Sequence, residues 1–366
     1  MRSDGPTIRA QRAGWVFLAA LAAAATLPAQ AAPTPPTVDD QPGITIEMLD
    51  AMTRLPGNLG PLPPVPVPLD NPQNEDKIQL GRMLFFDKRL SLDRAQSCAS
   101  CHDPRKAFGD GRPRALGLHG KELARRSPTV LNAAYNPLQF WDGRASSLEQ
   151  QAEGPLLSGA EMSMLTERRL VERLQEVPEY QERFREVFGG VPTLKNVAKA
   201  IAAFERTLVT PNGRFDLYLR GDKGSLSDGE KRGLILFIGK AACSQCHNGP
   251  NLTDNRFHRL GLPAGRGPRD VGRLGITGNE QDRGAFKTPT LRNTALMAPY
   301  MHDGGFKTLA DVIDFYDRGG DRVARKSPLI VRLDLTTQEK ADLIAFLGSL
   351  TGPLPVFPGA VAVRSE

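Results

Sequence analysis

The chain has 366 residues, of which 40% are apolar and 24% are charged. This composition is typical of a globular protein and excludes a disordered or membrane-embedded chain, and the length is enough for two domains with their own cores. The formal net charge of +6 is not concentrated in basic clusters interleaved with aromatic residues, so we expect no binding to nucleic acid. Thirty prolines and 36 glycines predict long irregular loops between the regular elements.

The first 31 residues have the pattern of a signal peptide. Three arginines precede an almost wholly apolar run from Trp15 to Leu27, and the small residues of Ala29-Gln30-Ala31 follow. We expect cleavage after Ala31 and export of the remaining chain. The alternative, a membrane anchor, needs roughly 20 apolar residues, more than this run supplies. No later segment has the pattern of a membrane span.

After the signal peptide, the sequence follows one arrangement twice. Residues 32–75 are rich in proline and predict an extended leader over the surface. Apolar residues at helical spacing then predict helices from Asp76 to Leu90 and over about 194–209. In the second half, Ser227 and Thr336 are each followed three residues later by glutamate, the pattern of a capping box at a helix start. The pattern predicts three further segments: residues 76–212, residues 213–352 and a tail over 353–366.

All four cysteines lie in two Cys-x-x-Cys-His motifs, at Cys98, Cys101 and His102 and at Cys243, Cys246 and His247. In an exported protein, four cysteines could form two disulfides or bind zinc. A cysteine pair followed at once by histidine is instead the attachment pattern for c-type haem, in which the thiols bond to the haem and the histidine binds the iron. We therefore predict two covalently bound haem c groups. The fold that we expect is mainly α, with two c-type cytochrome domains in tandem, each with one covalent haem and long irregular loops.

The function then depends on the far side of each iron. An iron with both axial positions filled can only carry electrons, whereas an open position permits chemistry at the metal. Met162 and Met164 lie 60 and 62 residues after the histidine of the first motif, and Met297 and Met301 lie 50 and 54 residues after that of the second. Methionine is a common second ligand in small c-type cytochromes. On spacing alone, a dihaem electron carrier without catalysis remains an open alternative.

Long blocks of the sequence resemble the bacterial dihaem cytochrome c peroxidases and the related MauG-type enzymes. The longest block spans residues 125–162, and the others run from Leu84 to Ser91, from Thr288 to Asn293 and from Pro299 to Gly304. The resemblance covers nearly all of residues 76–350. It implies a periplasmic enzyme that reduces hydrogen peroxide with electrons from a small donor protein, either a c-type cytochrome or a cupredoxin. Homodimerisation is implied only by the same resemblance.

The resemblance also implies roles for three residues. Glu161 would be the distal acid and base at the N-terminal, peroxidatic haem, where it would move a proton between the two peroxide oxygens. Gln151 would lie beside it and orient peroxide by hydrogen bonding. Trp141 would lie between the haems as the electron bridge. Without the resemblance, Glu161 and Gln151 would be interpreted as surface residues of a polar helix, and Trp141 as a core aromatic residue.

His119 and Tyr316 occupy positions at which the two branches of the family differ. In the peroxidases, a loop histidine caps the N-terminal iron of the resting enzyme, and His119 lies in such a loop, although its spacing to Pro128 is one residue shorter. MauG-type enzymes lack this cap and bind the second iron with a tyrosine, which Tyr316 matches. A phenolate favours ferric and higher oxidation states, whereas a thioether favours ferrous iron. The ligand of the second iron remains open between Tyr316, Met301 and Met297.

A third difference concerns calcium. The family binds this ion between its domains through an asparagine side chain and backbone carbonyls, and Arg126 replaces that asparagine here. A guanidinium cannot coordinate a cation, so we predict that the calcium site is lost.

The leading functional prediction is therefore a periplasmic cytochrome c peroxidase. One alternative is a MauG-like enzyme that oxidises residues of a partner protein through a high-valent dihaem state. The other is an electron carrier, for which both irons must be permanently closed.

Overall fold

A computed structural model describes residues 43–262 and 270–357, and within these ranges the protein is mainly helical. The two strands, β1 (Phe257–His258) and β2 (Phe286–Lys287), form one antiparallel pair. The predicted signal peptide, residues 1–31, lies outside the described residues. In the described part of the chain, no helix combines the length and the apolar content needed to cross a membrane. The helices are α1 (Ile46–Ala51), α2 (Glu75–Phe86), α3 (Cys98–Cys101), α4 (Leu148–Leu157), α5 (Glu167–Gln175), α6 (Pro178–Phe188), α7 (Leu194–Glu205), α8 (Arg214–Leu219), α9 (Asp228–Ile238), α10 (Leu274–Thr277), α11 (Leu309–Asp317) and α12 (Thr337–Ser349).

The helix starts follow the capping patterns of the sequence. The side chains of Ser227 and Thr336 each accept a hydrogen bond from the backbone N–H of the glutamate three residues on, and these capping boxes open α9 and α12. Helix α2 ends at Phe86, and a separate 3₁₀ turn continues to Leu90. Helix α7 ends at Glu205 and not near residue 209. The four predicted helices are confirmed, and the two in the first half end earlier than expected.

Buried apolar residues form two main clusters, each drawn mainly but not wholly from one half of the sequence. The first core is built on α2 and α7, and the second on α9 and α12. Edge-to-face aromatic pairs join the layers in both cores, as between Phe85 and Phe204 and between Phe215 and Phe346. The boundaries of the predicted domains stay a prediction.

A glycine lies at the crossing point of each of these helix pairs. Gly81 of α2 faces the backbone of Ala200 in α7, and Gly233 of α9 faces the backbone of Asp342 in α12. A Cβ at either glycine would overlap the opposite carbonyl oxygen, so the observed approach of the helices requires glycine. Both crossings lie on helices that are followed along the chain by a Cys-x-x-Cys-His motif.

The two ends of the described part of the chain differ from the predicted leader and tail. Thr45 caps α1, and Leu49 of this helix is fully buried in the second core. The prediction of an extended leader is therefore wrong for residues 46–51, where burial of apolar side chains outweighs the effect of the surrounding prolines. At the other end, Phe357 of the predicted tail packs against Phe204 of the first core, with ring centroids 5.2 Å apart.

The variant Gly81→Ala tests the first helix crossing. We expect a loss of about 1–3 kcal/mol in the free energy of unfolding, because α2 and α7 must move apart and loosen the core. Gly190→Ala is the matched control, since its Cβ would meet no atom within 4 Å. Urea denaturation of the purified variants measures the difference, and equal stability of the two would contradict the role of Gly81.

Candidate functional site

The first Cys-x-x-Cys-His motif forms a single helical turn, α3, and its histidine is oriented by the backbone. The Nδ1–H of His102 donates to the carbonyl of Phe108, 3.2 Å away, which leaves Nε2 available to bind a metal. Burial lowers the pKa of His102 and so favours the neutral imidazole that a metal requires.

The second motif repeats this arrangement in a 3₁₀ turn that begins at Cys243. The Nδ1–H of His247 donates to the carbonyl of Leu252 at 3.1 Å, and burial lowers the pKa of His247 to about 4. All four cysteines of the two motifs have free thiols in the structure. The disulfide alternative therefore has no structural support.

Both motifs line one cavity of about 1610 Å³. Ligand pockets commonly have volumes of roughly 300–1,000 Å³, so this cavity is large enough for more than one bulky group. The structure brings most of the predicted site residues to this cavity. Besides the two motifs, they are Trp141, Gln151, Glu161, Met297, Met301 and Tyr316.

The predicted acid and its neighbour lie on the side of the first motif. Gln151 belongs to α4, and Glu161 follows the end of this helix. Burial raises the pKa of Glu161, although the positive charge of Arg144 and a hydrogen bond with Ser158 oppose the shift. Burial, together with the charge of Glu161 among other groups, raises the pKa of Cys101 to about 11. Glu161 is therefore close to the first motif and is not a surface residue of a polar helix.

Trp141 is held by segments from both halves of the sequence. Its Nε1–H donates to the carbonyl of Arg126 at 3.1 Å, and its own carbonyl accepts the backbone N–H of Lys287 at 2.8 Å. Its ring lies edge-on to His302, with a centroid separation of 6.5 Å. The indole is thus fixed on the wall of the cavity that both motifs share.

All three candidate ligands for the second iron line the cavity. Tyr316 of α11 lines the cavity together with the second motif, and burial and then the charges of Cys243 and Cys246 raise its pKa. Met301 has a left-handed backbone, with φ of 68°, in the loop before α11. Met297 also packs with the first core.

His119 and Met164 are the predicted ligand candidates that do not line this cavity. The His119 side chain is 73% exposed, and its Nδ1 lies 3.5 Å from a carboxylate oxygen of Asp93. Met164 is fully buried in the first core, whereas Met162 reaches the cavity wall. The predicted histidine cap therefore has no support in this conformation, because the ring lies at the surface beside Asp93.

Two buried cations face the cavity without an ion-pair partner among the described residues. Arg126 is 6% exposed, its Nε has no hydrogen-bond partner, and burial lowers its pKa. Lys287 is 7% exposed, and burial lowers its pKa to about 8. The adjacent Arg125, in contrast, is paired with Asp142 and Asp270, each at 2.6 Å. Because unpaired buried charges are costly, the cavity suits a cofactor that carries carboxylates, as haem does.

Sequence reasoning missed two further cavity residues, Glu205 and His258. Glu205 is a carboxyl on the apolar face of the α7 pattern, one turn after Ile201, and this position was the signal that could have identified it. His258 bonds through Nε2 to Asp254 at 2.8 Å, which raises its pKa to about 9. The side chains of His258 and Asp254 lie within 4.8 Å of Cys246, a member of the second motif, so we do not assign these two residues a separate metal site.

Comparisons with known proteins agree with this arrangement. Residues 75–224 match the family model of the di-haem cytochrome c peroxidases. Cytochrome-c peroxidase IdrP1 of Pseudomonas sp. is 42% identical over 82% of this chain and 89% of its own. The methylamine utilization protein MauG of Methylorubrum extorquens is 42% identical over 78% and 81%. Cytochrome c551 peroxidase of Nitrosomonas europaea is 40% identical over 80% and 85%.

Solved structures extend the likeness to the fold. A MauG-like protein associated with microbial copper homeostasis has a TM-score of 0.74 and 37% identity, and the match covers 81% of this chain and 95% of that one. The diheme peroxidase BthA from Burkholderia thailandensis has a TM-score of 0.67 and 26% identity over 80% and 90%. The resemblance stated from the sequence is therefore confirmed, and the chain belongs to the dihaem cytochrome c peroxidase family.

Proposed function

We propose that this protein reduces hydrogen peroxide to water at a haem held by the first motif, with electrons that a small redox protein delivers to a haem at the second. The observation that carries this proposal is Glu161, a carboxyl of raised pKa that lines the cavity near the first motif. Each haem supplies the redox chemistry of its iron, and the chain supplies substrate binding, proton movement and the path between the two sites.

Glu161 is the proposed acid and base. Conversion of hydrogen peroxide to two waters takes up two electrons and two protons, and it requires a proton on the oxygen that leaves. The carboxylate of Glu161 accepts the proton of one peroxide oxygen, and the resulting acid donates it to the other. Burial brings the pKa of Glu161 closer to the working pH, which suits a group that must both accept and donate. Gln151 lines the same cavity and can donate an amide N–H to peroxide.

Trp141 is the proposed bridge for electrons between the two haems. This role is supported by its place on the shared cavity wall and by the hydrogen bonds that tie it to Arg126 and Lys287. A rigid aromatic ring between two redox groups is better suited to electron transfer than to substrate binding.

Tyr316 is the proposed second ligand of the second iron. Its proximity to Cys243 and Cys246 supports Tyr316 over Met301 and Met297. Together with the exposed position of His119, this favours a second candidate function, MauG-like oxidation of residues on a partner protein. An electron carrier without catalysis is less consistent with Glu161 and Gln151 in the cavity wall.

We also infer that the haems are attached through thioether bonds to Cys98, Cys101, Cys243 and Cys246, with one haem in each of two tandem cytochrome c domains. The place of both cysteine pairs on the cavity wall and the matching orientation of the two histidines support this inference. Export to the periplasm rests on the sequence of residues 1–31. Homodimerisation and a donor of the c-type cytochrome or cupredoxin class are proposals from the family alone.

The variant Glu161→Gln tests the proposed acid and base. We expect turnover of hydrogen peroxide to fall by roughly 10²–10⁴-fold while both haems remain attached, because the amide cannot exchange the proton. Glu153→Gln is the matched control, since Glu153 lies on the neighbouring helix α4 but not in the cavity wall. Wild-type turnover in Glu161→Gln would refute the role.

The pH dependence of turnover gives a second test of Glu161. Only the carboxylate accepts a proton, so activity should fall as the pH drops through the raised pKa of Glu161, at a higher pH than for an ordinary glutamate. Steady-state rates at several pH values measure this acid limb. An unchanged acid limb in the residual activity of Glu161→Gln would assign it to another group.

Optical and EPR spectra of the oxidised protein test the ligands of the two irons. Because His119 is exposed, we expect a high-spin N-terminal iron that reacts with peroxide before any reduction, and the same spectra in His119→Ala. Tyr316→Phe should alter only the spectrum of the second haem. If both irons are low-spin and react with peroxide only after one-electron reduction, the result would contradict this expectation and support His119 as the cap of the N-terminal iron.

Chelation tests the predicted loss of calcium. We propose that the guanidinium of Arg126 supplies the positive charge that calcium provides in relatives, so EGTA should leave turnover and spectra unchanged. Arg126→Asn should make activity depend on added calcium. A loss of wild-type activity on chelation would contradict this substitution of charge.

A further inference from the structure

The carboxyl of Glu205 faces the cavity but has no part in the chemistry proposed above. It is the last residue of α7, and Ile201, one turn earlier, lines the same cavity. The residue is only 3% exposed, and its Oε2 has no hydrogen-bond partner within residues 43–262 and 270–357. A buried carboxyl without a partner is unfavourable as an anion, and burial raises the pKa of Glu205 to about 8.

The charged groups around Glu205 do not neutralise it. On the same helix end, Arg206 is already paired with Glu149 of α4, at 2.7 and 3.2 Å. The negative charge of Glu149 raises the pKa of Glu205, in opposition to Arg206. From α2, the amine of Lys77 donates to Asn71 and to a backbone carbonyl. Glu205 is therefore free to change its protonation state without breaking an ion pair.

Glu205 also lies close to the first motif. Burial is the main cause that raises the pKa of the Cys98 thiol, and the negative charge of Glu205 is the second. Cys98 is the residue through which a haem would be attached at this end of the cavity. A change of charge on that haem therefore acts on Glu205 through a buried and weakly screened path.

We propose that Glu205 takes up a proton when the haem of the first motif gains an electron. The electron comes from the donor protein and reduces ferric to ferrous iron. A proton from solvent converts the Glu205 carboxylate into the neutral acid, so that the net charge of the cavity does not change. Glu205 is then a positioning residue for charge, distinct from Glu161, which acts on peroxide. This inference rests on the proposed function only in that a haem occupies the first motif.

The measurable consequence is a midpoint potential that depends on pH. A group with a higher pKa in the reduced state makes the potential fall as the pH rises between its two pKa values. The limit for one proton and one electron is about 59 mV for each tenfold decrease in proton concentration. A merely structural carboxyl would produce no such slope.

The experiment is an optical redox titration of the purified dihaem protein at several pH values around the raised pKa of Glu205. Glu161 titrates in the same cavity, so Glu161→Gln serves as the background. We compare this background with Glu205→Gln added and with Glu182→Gln added, since Glu182 is an exposed residue of α6. Haem carboxylates are common to all three proteins, so the comparison isolates what Glu205→Gln removes.

We expect the potential of the N-terminal haem to fall with rising pH in the background and in the Glu182→Gln control, and to lose most of this slope with Glu205→Gln. The potential of the C-terminal haem should be the same in all three. Equal slopes with and without Glu205→Gln, or no slope in the background, would overturn the proposal. If Glu205→Gln does not fold, Glu205→Asp serves in its place. We expect this variant to keep the slope of the potential against pH but to shift the pH range in which the slope occurs. An unshifted pH range would overturn the proposal. None of these outcomes depends on peroxide turnover, so the proposed function stands or falls separately.

Discussion

The close approach of two helix pairs is the constraint on which the rest of the structure depends. Gly81 and Gly233 allow α2 to touch α7 and α9 to touch α12 at the level of the backbone. Each contact lies in one of the two cores, on a helix that is followed along the chain by a Cys-x-x-Cys-His turn. Each of the two histidines thus follows a helix that is packed at backbone level within its own core.

The buried charges around the cavity are of two kinds, paired and unpaired. Some charges are fully compensated, as in the links of Arg125 to Asp142 and Asp270. Others, namely Arg126, Lys287 and Glu205, line the cavity without an ion pair in the part of the chain that the structure describes. The compensated charges keep the loops around Trp141 in place, while the uncompensated ones respond to the charge of whatever the cavity holds. The residues that hold the cavity wall in place are thus different from the residues whose charge is left unpaired in it.

Local patterns in the sequence were enough for much of this arrangement, because they concern neighbouring residues. Capping boxes located α9 and α12, and the two cysteine motifs located two parts of the cavity wall. The family resemblance supplied Glu161, Gln151 and Trp141, which no local pattern distinguishes from ordinary residues. The surface position of His119 and the burial of Glu205 depend on contacts between distant segments, and neither follows from sequence spacing. The same holds for α1, where proline content concealed a helix that tertiary packing stabilises.

Each core is completed by a segment from the opposite end of the chain. Leu49, near the start of the described residues, belongs to the second core, and Phe357, near their end, packs on the first. The first core therefore lacks part of its apolar cover until the segment around Phe357 joins it. The half that is translated first is completed last. Chaperones that protect exposed apolar surface should consequently be needed by the early half of the chain, and a truncation near the C-terminus should damage the distant first core before it damages the second.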